Sequence, residues 1–127
     1  MSEVTTRGVK VQVQPRYHPD RSNPQGDYWF FSYTVTIENT GVETVQLLSR
    51  HWIVTDATGG EREVRGPGVV GKRPVLGPGE RFSYTSFCPL QTSLGGMRGS
   101  YGMVTDDGET FDAGVAPFAL ADPETLN

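Results

Sequence analysis

A glycine-rich segment at residues 66–74 carries the pattern most suggestive of chemistry. It reads GPGVVGKRP, with three glycines spaced as in a dinucleotide-binding fingerprint and a Gly-Lys pair spaced as in a Walker phosphate loop. Both motifs need a helix directly after the loop, because the N-terminus of that helix holds the phosphate. Pro74 and Pro78 exclude that helix, and Arg73 stands where a Walker loop has a Mg²⁺-binding Ser or Thr. The sequence therefore argues against both nucleotide-binding folds.

The same segment could bind an anion without a helix. Consecutive backbone N–H groups in a tight turn can hold phosphate oxygens, and residues 61–73 contain four cationic and two acidic side chains in a chain of net charge −4. Pro67, however, has no N–H to offer. The alternative is a structural loop in which glycine supplies positive φ or close packing, and we prefer this interpretation. The candidate anion-binding residues are Gly66, Gly68, Gly71, Lys72 and Arg73.

Nucleophile–base catalysis has few candidates, namely the single cysteine, Cys88, and the two histidines, His18 and His51. Cys88 precedes a proline, and His51 lies in an apolar run, where a structural histidine is expected. The sequence has no cysteine pair, no His-x₃-His and no EF-hand spacing. The acidic residues 106, 107 and 109 are typical of a solvated hairpin tip. We therefore predict no enzymatic activity, no cofactor and no metal site.

The elements that must position these residues are predicted to be strands. The chain has 14 Val and 13 Thr against 7 Leu and 5 Ala, and branched β-carbons favour sheets. Strict alternation at residues 28–38 predicts a strand whose buried face carries Trp29, Phe31, Tyr33, Val35 and Ile37. Similar alternation recurs at 9–13, 82–86, 101–103 and 111–115, with turn signals between the runs. The pattern predicts one domain, residues 1–127, folded as an antiparallel β-sandwich of about seven to eight strands, with a barrel as the alternative.

Four segments are less regular. Residues 45–56 change their apolar face, which indicates either a β-bulge or a strand covered on both sides. Asp107-Gly108 predicts a two-residue hairpin, residues 17–27 a long loop, and residues 122–127 a frayed tail.

Composition restricts the partners and the compartment. The 127 residues suffice for one domain, and the net charge of −4 argues against a dedicated nucleic-acid or anionic-membrane binder. A single cysteine fits a reducing compartment, and no apolar run resembles a signal peptide or a membrane span. We therefore expect a cytoplasmic protein with no membrane partner.

Several motifs occur in a fixed order along the chain: YTVTI at 33–37, VQLL at 45–48, HWIVTD at 51–56, GPGVVG at 66–71, PVLGPGE at 74–80, FSYTS at 82–86, LGGMRG at 94–99 and YGM at 101–103. This series resembles the ApaG family, also called CorD, over nearly the whole chain. The resemblance implies an immunoglobulin-like sandwich of fibronectin type III kind. It implies no enzymatic activity.

The resemblance also suggests functions. ApaG genes accompany diadenosine tetraphosphate hydrolase genes, and the family is linked to cobalt tolerance and Mg²⁺ efflux. Related domains in eukaryotic F-box and DNA-polymerase-associated proteins resemble interaction modules, and a pyrophosphate-binding hypothesis for the family maps here onto Gly66, Gly68 and Gly71. We therefore predict a non-enzymatic domain that binds an unidentified protein partner. The alternative is a weak phosphate or nucleotide ligand at the Gly66–Arg73 loop, and the oligomeric state stays open.

Overall fold

The chain folds into two antiparallel β-sheets that pack face to face. The computed structural model describes residues 1–126. Sheet I has the strand order β1-β2-β3-β7, and sheet II has the order β5-β4-β8-β9 with β6 also paired to β4. The predicted β-sandwich is confirmed, and the barrel alternative is wrong because each sheet keeps its own two edges. The strands are β1 (Ser2–Thr6), β2 (Val9–Tyr17), β3 (Trp29–Asn39), β4 (Val45–Asp56), β5 (Glu61–Pro67), β6 (Val75–Leu76), β7 (Arg81–Leu90), β8 (Leu94–Thr105) and β9 (Thr110–Ala121).

The core lies between the sheets and is built by the alternation of their strands. Four of the five side chains predicted for the inner face of β3 are buried, and Trp29 is half-buried against the same core. Trp52 of sheet II meets Tyr33 edge-on, with ring centroids 5.3 Å apart. The buried side chains that sheet II contributes include Val45, Leu47, Trp52, Val54, Met97, Tyr101, Met103, Ala113, Val115, Phe118 and Leu120.

The bulge in β4 resolves the irregular pattern of residues 45–56. Pairing with β8 shifts register between Leu47 and Ser49, so Leu48 is the extra residue. A bulge of this kind moves the following side chains to the opposite face. Leu47 is therefore buried before the bulge, whereas Trp52 and Val54 are buried after it. Arg50 lies on this same inner face, which places a charge at the edge of the core.

The segment before β3 is more ordered than the predicted loop. β2 continues to Tyr17, and two short 3₁₀ turns follow at Pro19–Arg21 and Pro24–Gly26. They cover part of the outer face of β3, where the Arg21 guanidinium lies 4.1 Å from the Phe30 ring centroid. Phe30 and Ser32 are consequently buried on a face that alternation alone predicts to be wet.

Three further predictions need correction. The turn at Asp107-Gly108 is a three-residue loop, because Thr105 bonds Glu109 O and Gly108 (φ 85°) closes it from the left-handed region. The predicted frayed tail is ordered at its start, since Asp122 is buried and a 3₁₀ turn spans Pro123–Leu126. Asn127 lies outside the described residues. The described residues form nine strands where about seven to eight are predicted, and β1, β5 and the two-residue β6 are the strands that no alternating run marks. No helix in the described part of the chain is long and apolar enough to cross a membrane.

One buried amide fastens an end of the sandwich. The Asn39 side chain donates to the carbonyl oxygens of Glu43 (2.6 Å) and Leu76 (2.9 Å) and accepts from the Gly41 amide (3.0 Å). The Asn39 backbone bonds to Gly79 and Glu80. Both connections that cross between the sheets at this end, 40–44 and 77–80, are therefore tied to one residue.

The two long sides of the sandwich differ. On one side, called the closed side below, β9 packs against β1 and β2, and the Gly114 amide donates to Thr6 Oγ1 at 3.1 Å. Arg7, in the β1–β2 turn, lies 3.5 Å from Glu109 and stacks on the Phe111 ring at 4.7 Å. On the other side β5 and β7, each paired along one edge only, leave an opening.

Candidate functional site

The glycine-rich segment forms a tight turn at the end of β5. Val69 and Lys72 exchange two backbone hydrogen bonds of 2.8 Å, and the central residues Val70 (φ 44°) and Gly71 (φ 76°) are both left-handed. These angles are typical of a type I′ turn. Val69 is fully buried and anchors the turn to the core, while Val70 is exposed. The five candidate anion-binding residues are thus brought together, with Gly66 at the end of β5 and the others in or beside the turn.

Two of the three glycines, Gly68 and Gly71, are required by a left-handed φ, and the third, Gly66, leaves room for the side chain of Arg50. At Gly68 (φ 60°) an added Cβ would overlap the Lys72 carbonyl oxygen. At Gly66 it would lie 2.8 Å from the guanidinium of Arg50, which packs over this position. Arg50 Nη1 donates to the carbonyl oxygens of Pro67 (2.9 Å) and Gly68 (3.0 Å). These contacts give the pattern a structural reason.

The turn uses part of its own hydrogen-bonding capacity. The Gly68 amide donates to Leu48 O at 2.8 Å, and the amides of Val69 and Lys72 bond each other's carbonyl groups. Among the described residues, no backbone acceptor takes the amide hydrogens of Val70 and Gly71. A cavity of about 470 Å³ lies beside the turn on the outer face of sheet II, and its lining includes His51, Arg65, Arg73, Ser100 and Asp112.

The catalytic candidates lie on different faces. Cys88 points inward from β7, and its burial raises the pKa of the thiol. His51 lies on the outer face of sheet II, where its Nε2 is hydrogen-bonded to Glu63 at 3.1 Å and, with Arg65, lowers the pKa of that carboxyl. His18 is hydrogen-bonded to Ser32 on the outer face of sheet I. Neither histidine faces the thiol, so no cysteine–histidine pair is assembled.

The acidic group at the hairpin tip has a different membership from the predicted residues 106, 107 and 109. Asp106 and Asp107 are joined by Glu43, whose carboxylate oxygen lies within 4.8 Å of theirs, and all three residues are exposed. Glu109 instead pairs with Arg7. Exposed carboxylates often gather without a metal, so we assign no metal site here.

The opening between β5 and β7 is the most distinctive concave feature, and we call it the side cleft. Sheet I ends at β7, so no strand covers the inner face of β5, which carries Arg62, Val64 and Gly66. Every residue of β5 except Gly66 is exposed. Three adjoining cavities, of about 480, 240 and 240 Å³, follow the cleft from Tyr28 at one end to the Val70 turn at the other.

Exposed apolar side chains cluster along the side cleft. Eight large hydrophobic side chains are exposed in the described part of the chain, and four of them belong to residues that line its cavities, with the Phe87 ring at the rim on the outer face of sheet I beside Phe30. A clustered apolar patch of this kind marks interaction surfaces, whereas scattered exposed residues do not. The four are Tyr28 (41% exposed), Val64 (39%), Val70 (55%) and Phe87 (53%).

Two arginines supply the charge of the side cleft. Arg62 Nη2 donates to Pro89 O at 3.1 Å and lies 3.5 Å from Cys88 Sγ, while Arg50 holds the loop carbonyls described above. Neither has a carboxylate partner within 4.0 Å among the described residues. The two 240 Å³ cavities contain no acidic lining residue. The part of the cleft between Arg62 and Arg50 is therefore cationic within a chain of net charge −4, whereas the 480 Å³ cavity at the Tyr28 end is also lined by Asp56 and Glu61.

Tyrosine hydroxyls form the floor of the side cleft near Arg50. Tyr84 of sheet I and Tyr101 of sheet II share a buried hydrogen bond, and Tyr33 lines both smaller cavities. Burial raises the pKa of all three phenols. These groups are therefore neutral hydrogen-bonding partners at physiological pH.

Sequence reasoning did not identify the side cleft. The alternation of Arg62 and Val64 with Glu61, Glu63 and Arg65 is the only local signal, since charges on a short strand indicate a sheet edge. That β7 is the last strand of sheet I depends on pairings between distant segments.

Comparison with known proteins agrees with this architecture. Residues 19–105 match the ApaG domain family. A Protein ApaG from Afipia carboxidovorans is 51% identical over 130 residues, covering 100% of both chains, and one from Methylobacterium sp. strain 4-46 is 54% identical over 97% of this chain and 95% of that relative. The crystal structure of an ApaA protein from Bordetella pertussis superimposes with a TM-score of 0.89 at 50% identity, covering 91% of this chain and 94% of that one. The chain therefore belongs to the ApaG domain family.

Proposed function

We propose that this chain is a cytoplasmic, non-catalytic protein-interaction domain that binds an extended segment of a partner protein along the free edge of β7. The observation that carries the proposal is the uncovered inner face of β5. A segment that paired with β7 would extend sheet I by one strand and would cover that face. Addition of a strand to a sheet edge is a common mode of peptide recognition.

The two edges that border the side cleft, β5 and β7, differ in their suitability for pairing with another strand. β5 carries four charged side chains among its seven residues, and such charges protect an edge from pairing. β7 carries one charged residue among its ten, Arg81 at its start, and one proline, Pro89 near its end, whose carbonyl oxygen accepts from Arg62, so the stretch open to pairing lies between them. Phe87 is exposed in the middle of its second half, beside Phe30 and Arg21. The edge of β7 is therefore the better surface for a partner strand.

Selection from a phage-displayed library of random 12-residue peptides tests this proposal. We expect selected peptides to shift the backbone amide NMR signals of β7 and β5 and to leave those of β1 and β9 unchanged. Phe87→Asp should abolish binding, whereas Val42→Asp, at a more exposed valine outside the cleft, should not. Peptides that bind elsewhere, or a library that yields no binder, would contradict the proposal.

A second candidate function is weak phosphate or pyrophosphate binding at the turn that contains Gly66, Gly68, Gly71, Lys72 and Arg73. It is favoured by the Val70 and Gly71 amides, which have no backbone acceptor among the described residues, and by two exposed cations beside them. Pyrophosphate should then shift the amide signals of residues 68–73 saturably. The double change Lys72→Ala with Arg73→Ala, or added salt, should weaken the effect. The absence of any shift would exclude this function.

The family's link to cobalt and magnesium needs no metal on this chain under the main proposal. The described carboxylates that gather at Glu43, Asp106 and Asp107 are exposed, and no His or Cys joins them. We propose that the link acts through the bound partner.

A further inference from the structure

The geometry points to a specificity rule for the side cleft: we infer that it selects a strand with an acidic residue, an apolar residue and a second acidic residue at alternate positions. This inference rests on the proposed function, because it names the chemistry of the segment that would pair with β7. The selecting groups are Arg62, Val64 and the Arg50 guanidinium.

The register of β4 and β5 sets the order of these groups. Arg62 pairs with Val54, Val64 with Trp52, and Gly66 with Arg50, so all of these positions share the inner face. Because Gly66 has no side chain, the Arg50 guanidinium occupies the third position on that face. Along β5 the face therefore presents a cation, an apolar group and a cation. The outer positions are four residues apart, or about 13 Å.

A strand added to β7 would place its alternate side chains against this face. Side chains two residues apart on a strand lie on the same side, about 6.6 Å from each other. Carboxylates at positions i and i+4 would therefore reach Arg62 and Arg50, and an apolar side chain at i+2 would lie on Val64. Each guanidinium has donors left over, since only Nη2 of Arg62 and Nη1 of Arg50 form hydrogen bonds among the described residues.

The positive charge of Arg62 and Arg50 argues against two other occupants of the side cleft, a second copy of this chain and a strand without acidic residues. A second copy of β7 offers RFSYTSFCPL, which has no acidic residue, so pairing between two copies would bring together cations only. A segment without carboxylates would leave Arg50, which is half-buried, without a counter-charge. A partner strand with two carboxylates supplies an ion-pair partner to Arg62 and to Arg50, which have none within 4.0 Å among the described residues.

Sequencing of the peptides selected from the random library gives the first test. We expect enrichment of Asp or Glu at i and i+4 and of an apolar residue at i+2, and a fall in affinity as salt is raised. In one synthetic selected peptide, each acidic residue is then replaced by its amide. We expect each replacement to weaken binding to the unaltered protein by about tenfold in calorimetric titration.

Variants on β5 assign the effect to Arg62. In Arg62→Gln, amide replacement at the facing position should change affinity less than twofold, while Arg62→Lys should retain part of the preference. Arg65→Gln, on the outer face of the same strand, should behave as the unaltered protein. Thermal unfolding of each variant checks that the fold is retained.

The outcomes separate the two proposals. Peptides that bind at β7 without an acidic preference, or with equal amide effects in Arg62→Gln and the unaltered protein, overturn the specificity rule and leave the proposed function standing. A library that yields no peptide for the cleft overturns both. Dimerisation through β7, seen by light scattering, also overturns the rule.

Discussion

The closed and open sides of this sandwich are made from the same kind of element, yet they end differently. On the closed side, the β1–β2 hairpin supplies a strand opposite β9, and Thr6 and Arg7 seal the junction with Gly114, Glu109 and Phe111. On the open side, β5 has no strand of sheet I above it. One side therefore contributes buried contacts to stability, and the other leaves apolar and cationic groups available for binding.

The core shared by both sides sets the scale for this comparison. Phe31→Ala should lower the free energy of unfolding by about 3–5 kcal/mol, because its ring is fully buried in the core. Thr34→Ala, on the exposed face of β3, should cost well under half as much. Urea denaturation measures both changes. Equal losses would show that the inner face of β3 does not dominate stability.

On the open side, substitution of Gly68 should lower the stability of the protein more than substitution of Gly71, although both lie in the turn at residues 68–72. Gly71→Ala should cost about 1–2 kcal/mol, because its φ of 76° disfavours any Cβ. Gly68→Ala should cost more, since its Cβ would also overlap the Lys72 carbonyl oxygen. Lys72→Ala and Arg73→Ala should be nearly neutral. The reverse order of the two glycine variants in urea denaturation would contradict this assignment.

High pH should reveal the tyrosines beneath the side cleft. Because burial raises the pKa of Tyr33, Tyr84 and Tyr101, their contribution to stability is complete below about pH 10 and is lost as the pH rises further. Ultraviolet absorbance should show these three phenols ionising above the ordinary range for tyrosine, together with unfolding. Tyr84→Phe should reduce this alkaline loss. Ionisation of the three phenols near pH 10 while the protein stays folded would be inconsistent with the burial described.

Exposed arginines on the closed and open sides should differ slightly in how much they contribute to stability. Arg7→Ala should lower stability by about 1 kcal/mol, because it removes the stacking on Phe111 and two ion pairs of the closed side. Arg65→Ala on β5, whose partner Glu63 is also exposed, should have almost no effect. Thermal unfolding of both variants, at low and at high salt, measures this difference. Equal changes in unfolding temperature for Arg7→Ala and Arg65→Ala would contradict it.

Of all these changes, addition of divalent cations should alter the stability of the protein least. Co²⁺ and Mg²⁺ should bind weakly and should not alter the unfolding temperature of chelator-treated protein, because the described residues offer only an exposed carboxylate group. Calorimetric titration tests this expectation. Stoichiometric micromolar Co²⁺ binding that is lost in Asp107→Ala or His51→Ala would show that a metal site exists after all.

The sequence predicts the fold well where structure is local. The alternation in β3 identifies its inner face, and glycine-containing turns mark most strand ends. The bulge at Leu48 is visible only as an irregularity, because its meaning depends on pairing with β8. The order at Asp122 likewise depends on a distant contact, since its amide donates to Ser93 O.

The two candidate functional surfaces, the glycine turn and the side cleft, also differ in how far the sequence predicts them. The turn at residues 66–73 is recognisable because its three glycines lie within six consecutive residues. The side cleft is not, because Arg62 and Phe87 become neighbours only when β5 and β7 each end a sheet. Arg50 shows the difficulty most clearly, since only the preceding bulge turns its side chain from the outer face to the inner one.

Asn39 has a mechanical consequence for the side cleft. Its side chain and backbone hold the connections 40–44 and 77–80 at the end of the sandwich where β3 stops. At the opposite end of these strands, residues 91–93 carry the chain from β7 in sheet I to β8 in sheet II. The two sheets are therefore joined at both ends of the cleft, which limits how far they can separate. Under the proposed function, a partner side chain must fit the space that the cleft already offers, about 480 Å³ beside Leu90 and about 240 Å³ near the Val70 turn.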